Sequence, residues 1–363
     1  MRVLFVTQYG LLAASSRTRV FQYLPYLNDS GIQSRVLTVL PDSGLAGSQI
    51  RVTRAQWRKL VYYLWAMWRT IFCGLRLGLV ARRYDVLFIQ KVIFPAPIRR
   101  LLCCLPPTVF DFDDAIFTTE VRRGNWLAAW KERRNAAGLP AMLRLAAVAV
   151  VENDYTASFA AEHCERTLSI TGPIDTRRYR PAAPRPDGDT LVLGWIGSAS
   201  TLPYLEALRP ALGRLCRRVP GLSLLVVGAP QMDWPEVRLE AKPWNLEEEV
   251  GDLQAFDIGL MPVPDDPWTR GKGGYKLLQY MAAGLPVVSS PVGINREIVA
   301  DGESGFWATD DSEWEEKLAV LAADPALRRR MGDRGRQIVE ERFALEGAAG
   351  RLTELLRQLG GGA

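Results

Sequence analysis

The feature that most constrains this chain is an alternation that runs twice. Short apolar runs are separated by segments with helical spacing: "RVLFVT" (2–7), "SRVLTVL" (34–40), "DVLFIQ" (85–90), "TVFDF" (108–112), "AAVAVVE" (146–152) and "TLSIT" (167–171). Strands this apolar are buried on both faces, which is the pattern of a parallel sheet covered by helices on either side. A stretch rich in proline and charge, "PIDTRRYRPAAPRPDGD" (173–189), then interrupts the pattern. It restarts with "LVLGWIG" (191–197), "LSLLVVGA" (222–229), "VRLEAKPW" (237–244), "DIGLMPV" (257–263), "PVVSS" (286–290) and "GFWA" (305–308). At 363 residues the chain exceeds one ordinary core. The reading is therefore α/β, with two tandem doubly wound, Rossmann-like domains. They span 1–172 and 190–345, joined by the linker 173–189, with a closing helix (346–363) that can pack back on the first domain. In such sheets ligands bind beyond the carboxyl ends of the strands, so a shared ligand is expected in a cleft between the domains.

The net charge of +5 is unevenly spread. Residues 1–170 hold 22 Lys+Arg and 12 Asp+Glu, whereas the remainder holds 23 and 28. Within the basic half, residues 54–83 mix Trp57, Tyr62, Trp65, Trp68 and Phe72 with Arg54, Arg58, Lys59, Arg69 and Arg76. A helix of this kind can lie on an anionic membrane surface with its aromatics at headgroup level. A buried helix whose cations reach out to water gives the same pattern. No window reaches the ~18–20 apolar residues of a span. No nucleic-acid-binding motif accompanies the basic patch, so nucleic acid is not expected as a partner. The five cysteines form no C-x-x-C pair and the single histidine, His163, excludes a multi-histidine metal site. A reduced, cytoplasmic protein without structural zinc is expected, peripheral on the inner membrane face if the basic helix acts there.

The densest local signal is "RGKGGYKLLQYMAAGLPVVSSPVG" (270–293). Gly271, Gly273 and Gly274 permit close backbone approach to a ligand, Arg270, Lys272 and Lys276 supply positive charge, and a helix begins at Tyr275. A helix start with free N–H groups beside cations suits an anion. "GWIGSASTLPYL" (194–205) offers a second such place, where Gly197 and Ser198 precede a helix; a plain strand-to-helix turn with a cap is the competing reading. In the first domain "VFDFDDAIF" (109–117) sets Asp111, Asp113 and Asp114 at a strand end, where uncompensated acids need a polar surrounding. "YGLLAASSRTR" (9–19) follows the first strand, making Ser15, Ser16, Arg17 and Arg19 candidates for an acceptor or a phosphate. Arg17 is read at a helix start, where a cation opposes the dipole, and this favours a ligand role.

These residues carry a family resemblance. "YKLLQYMAAGLPVVSSPVGINREIVADGESGFWA" (275–308) resembles the signature region of the glycosyltransferase family 4 group, retaining enzymes of the GT-B fold. "GPIDTRRYRP", "LVLGWIGSASTLPYL" and "SSRTRVFQYLPYL" are similar to its interdomain segment, second-domain entry and first-domain helix. The resemblance spans nearly the whole chain. It implies transfer of a sugar from a nucleotide-sugar, UDP-sugar before GDP-sugar, to a hydroxyl of a glycan or lipid-linked acceptor, with retention and without an essential metal. It implies that the donor's own phosphate helps deprotonate the acceptor. Gly273, Gly274 and Tyr275 would present amides to the donor, and Gln279 falls where a ribose-binding glutamate is usual. Gly271 replaces a glutamate that touches the donor sugar, and Glu297 matches a recurrent glutamate. The usual arginine and lysine after the domain's first strand are absent from "GSASTLPYL", so Lys272, Lys276 or Arg270 is expected to supply that charge. Asp113 and Asp114 match a histidine and an aspartate of the family; with Lys276 they are the expected catalytic residues. Asp111-x-Asp113 also imitates the metal-binding pair of the unrelated GT-A enzymes, but two tandem domains do not suit that fold. Asp265 and Asp266 read as a loop rim. A sugar-nucleotide epimerase and a non-catalytic sugar-nucleotide-binding protein are the alternatives. A dinucleotide dehydrogenase is rejected, because "TQYGLLAASS" lacks G-x-G-x-x-G.

Overall fold

A computed structural model describes residues 1–42, 56–118, 126–183, 190–229 and 231–361. Arg54 lies outside the described residues. The chain forms two compact units. Unit 1 comprises Met1–Pro173, Arg270–Gly273 and Glu346–Ala363, and unit 2 comprises Ile174–Thr269 and Gly274–Leu345.

In unit 1 the apolar runs become β1 (Arg2–Tyr9), β2 (Gln33–Leu40), β3 (Val86–Gln90), β4 (Thr108–Asp111), β5 (Val148–Val151) and β6 (Thr167–Ser169). They form a parallel sheet in the order β2-β1-β3-β4-β5-β6. Phe5 of β1 stands level with Val36 on one side and Phe88 on the other. Every residue of β3, β4 and β5 is buried, as unbroken apolar runs require. The helices are α1 (Ala14–Arg19), α2 (Leu24–Asp29), α3 (Gln56–Val80), α4 (Ala96–Leu102), α5 (Trp126–Leu143) and α6 (Asp154–Ala161). Helix α6 starts where its sequence says it should: the Asn153 side chain accepts from Thr156 N at 2.9 Å, and Thr156 Oγ1 answers the Asn153 backbone.

Helix α3 departs from expectation. Trp57–Arg83 is long and apolar enough, by length and composition, to cross a membrane. Between Lys59 and Arg82 only Arg69 and Arg76 interrupt the apolar run, so the stretch that qualifies carries two cations.

Unit 2 holds β7 (Leu191–Ile196), β8 (Leu222–Val227), β9 (Leu239–Lys242), β10 (Ile258–Met261), β11 (Val287–Ser289) and β12 (Gly305–Trp307). These are parallel in the order β12-β11-β10-β7-β8-β9. Its helices are α7 (Leu202–Glu206), α8 (Arg209–Arg218), α9 (Glu249–Gln254), α10 (Pro267–Arg270), α11 (Tyr275–Ala282), α12 (Asn295–Ile298), α13 (Asp311–Ala323) and α14 (Pro325–Arg342). Two apolar layers sandwich this sheet. One gathers Trp195, Leu224 and Trp314, the other Leu277, Tyr280 and Val287. Asp310 and Asp324 cap α13 and α14, and Pro325 occupies the first turn of α14, where its missing N–H costs nothing.

The last helix, α15 (Leu345–Gly360), belongs largely to unit 1. Arg351 donates to the Ser169 carbonyl at 3.2 Å and Arg357 to the Ser30 carbonyl at 2.8 Å.

Both sheets reverse their winding beside their first strand. β1 lies between β2 and β3, and β7 between β8 and β10. At such a switch point the loops leave in opposite directions and open a crevice for a ligand.

Candidate active site

The switch point of unit 2 lies beyond the carboxyl end of β7. There the chain turns through Gly197, Ser198 and Thr201 into α7. Ser198 Oγ and Ser200 Oγ are 2.8 Å apart, and Thr201 Oγ1 donates to the Ser198 carbonyl at 3.0 Å. This turn carries no cation of its own, but α11 brings one. Lys276 Nζ lies 3.4 Å from Thr201 Oγ1 and 4.3 Å from the centre of the buried Trp195 ring. A Cβ on Gly197 would fall 2.7 Å from that amine, so glycine is what lets it in. The indole face stabilises the ammonium without neutralising it. A half-buried positive charge, two serine hydroxyls and the turn's backbone thus converge where an anionic ligand is expected.

Helix α11 is fixed by Gly274, its N-cap, at φ 64°, a left-handed conformation with a 2.5 Å approach of Ile298 Cδ1 to the place of a Cβ. Tyr275 follows, half-buried, at the helix start. Gln279 lies one turn beyond Lys276 and is turned inward. It is 4% exposed, its amide donates to Tyr179 Oη at 3.3 Å, and that phenol bonds Glu249, which also accepts from Trp244 Nε1 at 2.6 Å. Gln279, expected at a ribose, is engaged in this buried network. Glu297 is exposed on α12, and its carbonyl accepts from Arg342 at 3.2 Å.

Arg270, Lys272 and Gly273 group with unit 1, as does Gly271. The side chain of Asn153 donates to the Lys272 carbonyl at 3.0 Å. A Cβ on Gly273 would lie 1.6 Å from Glu152 Oε2, and one on Gly271 would lie 2.4 Å from Ala115 Cβ. These glycines make room for unit 1 side chains. Asp266 is a helix cap, accepting from Thr269 N at 2.7 Å.

The switch point of unit 1 lies between the ends of β1 and β3. Ser16 Oγ donates to the buried Gln90 Oε1 at 3.1 Å, and Gln90 Nε2 donates to Ser15 Oγ at 2.9 Å. Ser16 is fully buried and Ser15 half-buried, so of the two only Ser15 stays within a ligand's reach. Arg17 sits in the last turn of α1, not the first, because the helix begins at Ala14. A cation there suits the dipole. Its guanidinium also lies over the Leu12 carbonyl at 3.4 Å, so the argument for a ligand role falls away.

Arg19 is a larger correction. It is 1% exposed and locked inside unit 1. Its Nε donates to Asp111 Oδ2 at 3.0 Å, its Nη1 to Glu152 Oε1 at 3.3 Å and to the Ile170 carbonyl. An acceptor contact is not open to it. Asp111 is equally enclosed, which withdraws it from any Asp-x-Asp metal pair.

Asp113 and Asp114, just beyond β4, remain partly accessible. They are joined by a residue that the sequence reading missed. Lys91 Nζ lies 2.7 Å from Asp113 Oδ1 and bonds Asp114 Oδ2. Lys91 follows β3 directly and has φ 61°, the positive φ among described non-glycine residues. Such a backbone is kept only where surrounding contacts hold it. Burial alone would lower the Lys91 pKa, but the two carboxylates reverse the shift and hold it charged. Among the described residues, no group of three His, Cys, Asp or Glu side chains is arranged to hold a metal.

Burial pushes the Glu152 carboxyl up to about 8, against the pull of Arg19 and with the help of Asp113, Asp114 and Asp111. The Asp111 carboxyl is pushed up to about 6, again by burial and against Arg19. The folded chain therefore keeps a proton on Glu152 that the unfolded chain releases above its ordinary 4.5. Where the folded state binds more protons, stability falls as pH rises. Thermal melts should show a decline between pH 5 and 8 that is flatter in Glu152→Gln. An identical slope in the variant would place the titration elsewhere.

Comparison with known proteins places this geometry. Residues 267–338 match the model of the family described as glycosyl transferases group 1. Among curated proteins, D-inositol 3-phosphate glycosyltransferase of Corynebacterium urealyticum is 27% identical over 59% of this chain and 55% of its own length. Alpha-maltose-1-phosphate synthase of Mycolicibacterium smegmatis is 26% identical over 65% of this chain and 67% of that one. The chain thus spans little more than half the length of the first of these relatives. Among solved structures, sucrose-phosphate synthase from Thermosynechococcus elongatus superposes over the full length of both chains with a TM-score of 0.76 at 16% identity. Anabaena Alr3699/HepE, solved with UDP and glucose, covers 99% of this chain and 100% of its own with a TM-score of 0.67 at 17% identity. The GT-B fold is that of these structures, and residues 267–338, which carry α11 and the strand after it, match the group 1 glycosyl transferase model.

Proposed function

We propose that the chain is a glycosyltransferase of the family 4 type that moves a sugar from a nucleotide-sugar to an acceptor hydroxyl. The observation that carries this reading is Lys276 at the Gly197–Thr201 turn, the switch point of the unit that holds the family segment. In the reaction the bond from the sugar's anomeric carbon to the diphosphate breaks, and the nucleoside diphosphate leaves with the electron pair. The acceptor oxygen forms the new bond, and its proton passes to the departing diphosphate. Lys276 would meet the growing charge of that leaving group, a form of stabilisation that acts most strongly in the transition state. Asp113 and Asp114, fixed by Lys91, would orient acceptor hydroxyls, and Ser15, held by Gln90, is a further candidate for an acceptor contact. Gly273, Gly274 and Tyr275 would offer backbone amides to the donor.

UDP is favoured over GDP because the HepE structures hold UDP and UDP-glucose. Retention, independence of metal and a cytoplasmic glycan or lipid-linked acceptor complete the reading. The loss of a glutamate at Gly271 points to a donor sugar held by fewer charged contacts.

The test is nucleoside diphosphate release. Wild type with UDP-glucose, UDP-N-acetylglucosamine and their GDP counterparts should release diphosphate slowly alone and faster with an acceptor. Asp113→Asn and Asp114→Asn should weaken the acceptor-dependent part first. A changed sugar nucleotide without release would indicate an epimerase; binding without either reaction would indicate a sensor.

A further inference from the structure

Helix α3 presents a continuous apolar stripe to the outside of unit 1. Its most exposed large apolar side chains are Trp57, Leu64, Trp68, Phe72, Leu75 and Leu79, from 49% to 82%. Their spacing of three, four or seven residues keeps them on one face. Among the described residues, ten of the fifteen large hydrophobics in this exposed class lie on this helix. The opposite face is occupied. Thr70, Cys73 and Leu77 are buried, a Cβ on Gly74 would touch Ile98 of α4 at 2.4 Å, and Arg69 donates to the Val39 carbonyl of β2 at 3.0 Å. Between Arg69 and Leu77 the helix is thus held against β2 and α4 of its own unit, which favours a place on a membrane surface over a span, although its composition would permit one.

Charge decides what covers the stripe. Between residues 56 and 83 there are six cations, Arg58, Lys59, Arg69, Arg76, Arg82 and Arg83, and no acid. Arg58 and Arg76, five helical turns apart, fall on one flank of the stripe. Two copies of this face would set like charges against each other. An anionic headgroup layer would pair with them while its acyl region takes up Trp68, Phe72 and Leu75.

We propose that α3 lies in the plane of an anionic lipid bilayer, with the 57–79 stripe inserted and the Arg58–Arg76 flank at the phosphates. The inference is independent of the transferase reading, since none of these residues belongs to the candidate active site. The experiment floats the full chain on vesicles of phosphatidylcholine alone and with 30% phosphatidylglycerol. Wild type should float with the anionic vesicles at least tenfold more than with neutral ones, and brominated lipid should quench tryptophan emission. Trp68→Glu/Phe72→Glu, at exposed positions, should lose flotation while keeping wild-type melting and diphosphate release. Arg58→Gln/Arg76→Gln should lose the preference for anionic vesicles. Absence of flotation by wild type would overturn the proposal. So would flotation that the glutamate pair leaves unchanged, or a concentration-dependent dimer in light scattering that the glutamate pair abolishes while neither protein binds vesicles.

Discussion

Arg19→Met should lower the stability of unit 1 by about 3–5 kcal/mol, because it leaves the Asp111 carboxylate buried without its cation and removes the donor shared by Glu152 and the Ile170 carbonyl. Asp111 has 1% and Glu152 6% of its side chain exposed, and both point at the guanidinium. Methionine fills much of the volume but supplies neither charge nor donors. The melting temperature should fall by roughly 10 °C. Arg19→Lys should fall between the two, since an ammonium keeps the charge but cannot reproduce the fork that serves Asp111, Glu152 and Ile170 together. Adding Asp111→Asn to Arg19→Met should recover part of the loss, because one stranded charge is removed. If Arg19→Met melts with wild type, the buried cluster does not hold this sheet edge together.

Lys276→Ala should have the larger effect on chemistry and a small one on stability. Its amine is half-buried, over the Trp195 ring and beside Thr201. Removing one preorganised group that meets a developing anion typically costs on the order of 10²–10³ in turnover. Diphosphate release should drop by about that factor, with melting close to wild type. Lys276→Arg should restore some of it, since charge is retained, but Gly197 leaves space fitted to a smaller head group. Turnover within threefold of wild type in Lys276→Ala would remove the residue from the reaction.

The fold was largely legible because its cause is local and repeated. Central parallel strands are buried and apolar throughout, as in β3, β4 and β5, while the edge strands β2, β6 and β9 are partly exposed and admit polar residues. The direction of Lys276 was less visible: its place on α11 could be read, but its approach to Gly197 and Thr201 depends on how α11 packs beside β7. Arg19, Ser16 and Gln279 share one difficulty. Polar residues near a strand end look the same whether they face a ligand or one another, and burial separates the cases. Asp111 and Glu152, at the ends of β4 and β5, meet Arg19 only through the sheet order, which no local pattern records. Lys91 had a signal that could have been used, a lone cation directly after the buried run "VLFIQ".

The central claim, that a nucleoside diphosphate binds at the switch point of unit 2 through Lys276, is tested most directly by ligand-induced stabilisation. Melting of wild type and Lys276→Ala would be followed with UDP, GDP, dTDP and CMP sugars. A ligand that binds only the folded state raises the melting temperature in proportion to the logarithm of its saturation. The account predicts that one nucleotide series, UDP first, stabilises wild type and that Lys276→Ala loses most of that shift. Equal stabilisation of both proteins, or none by any nucleotide-sugar, would contradict it.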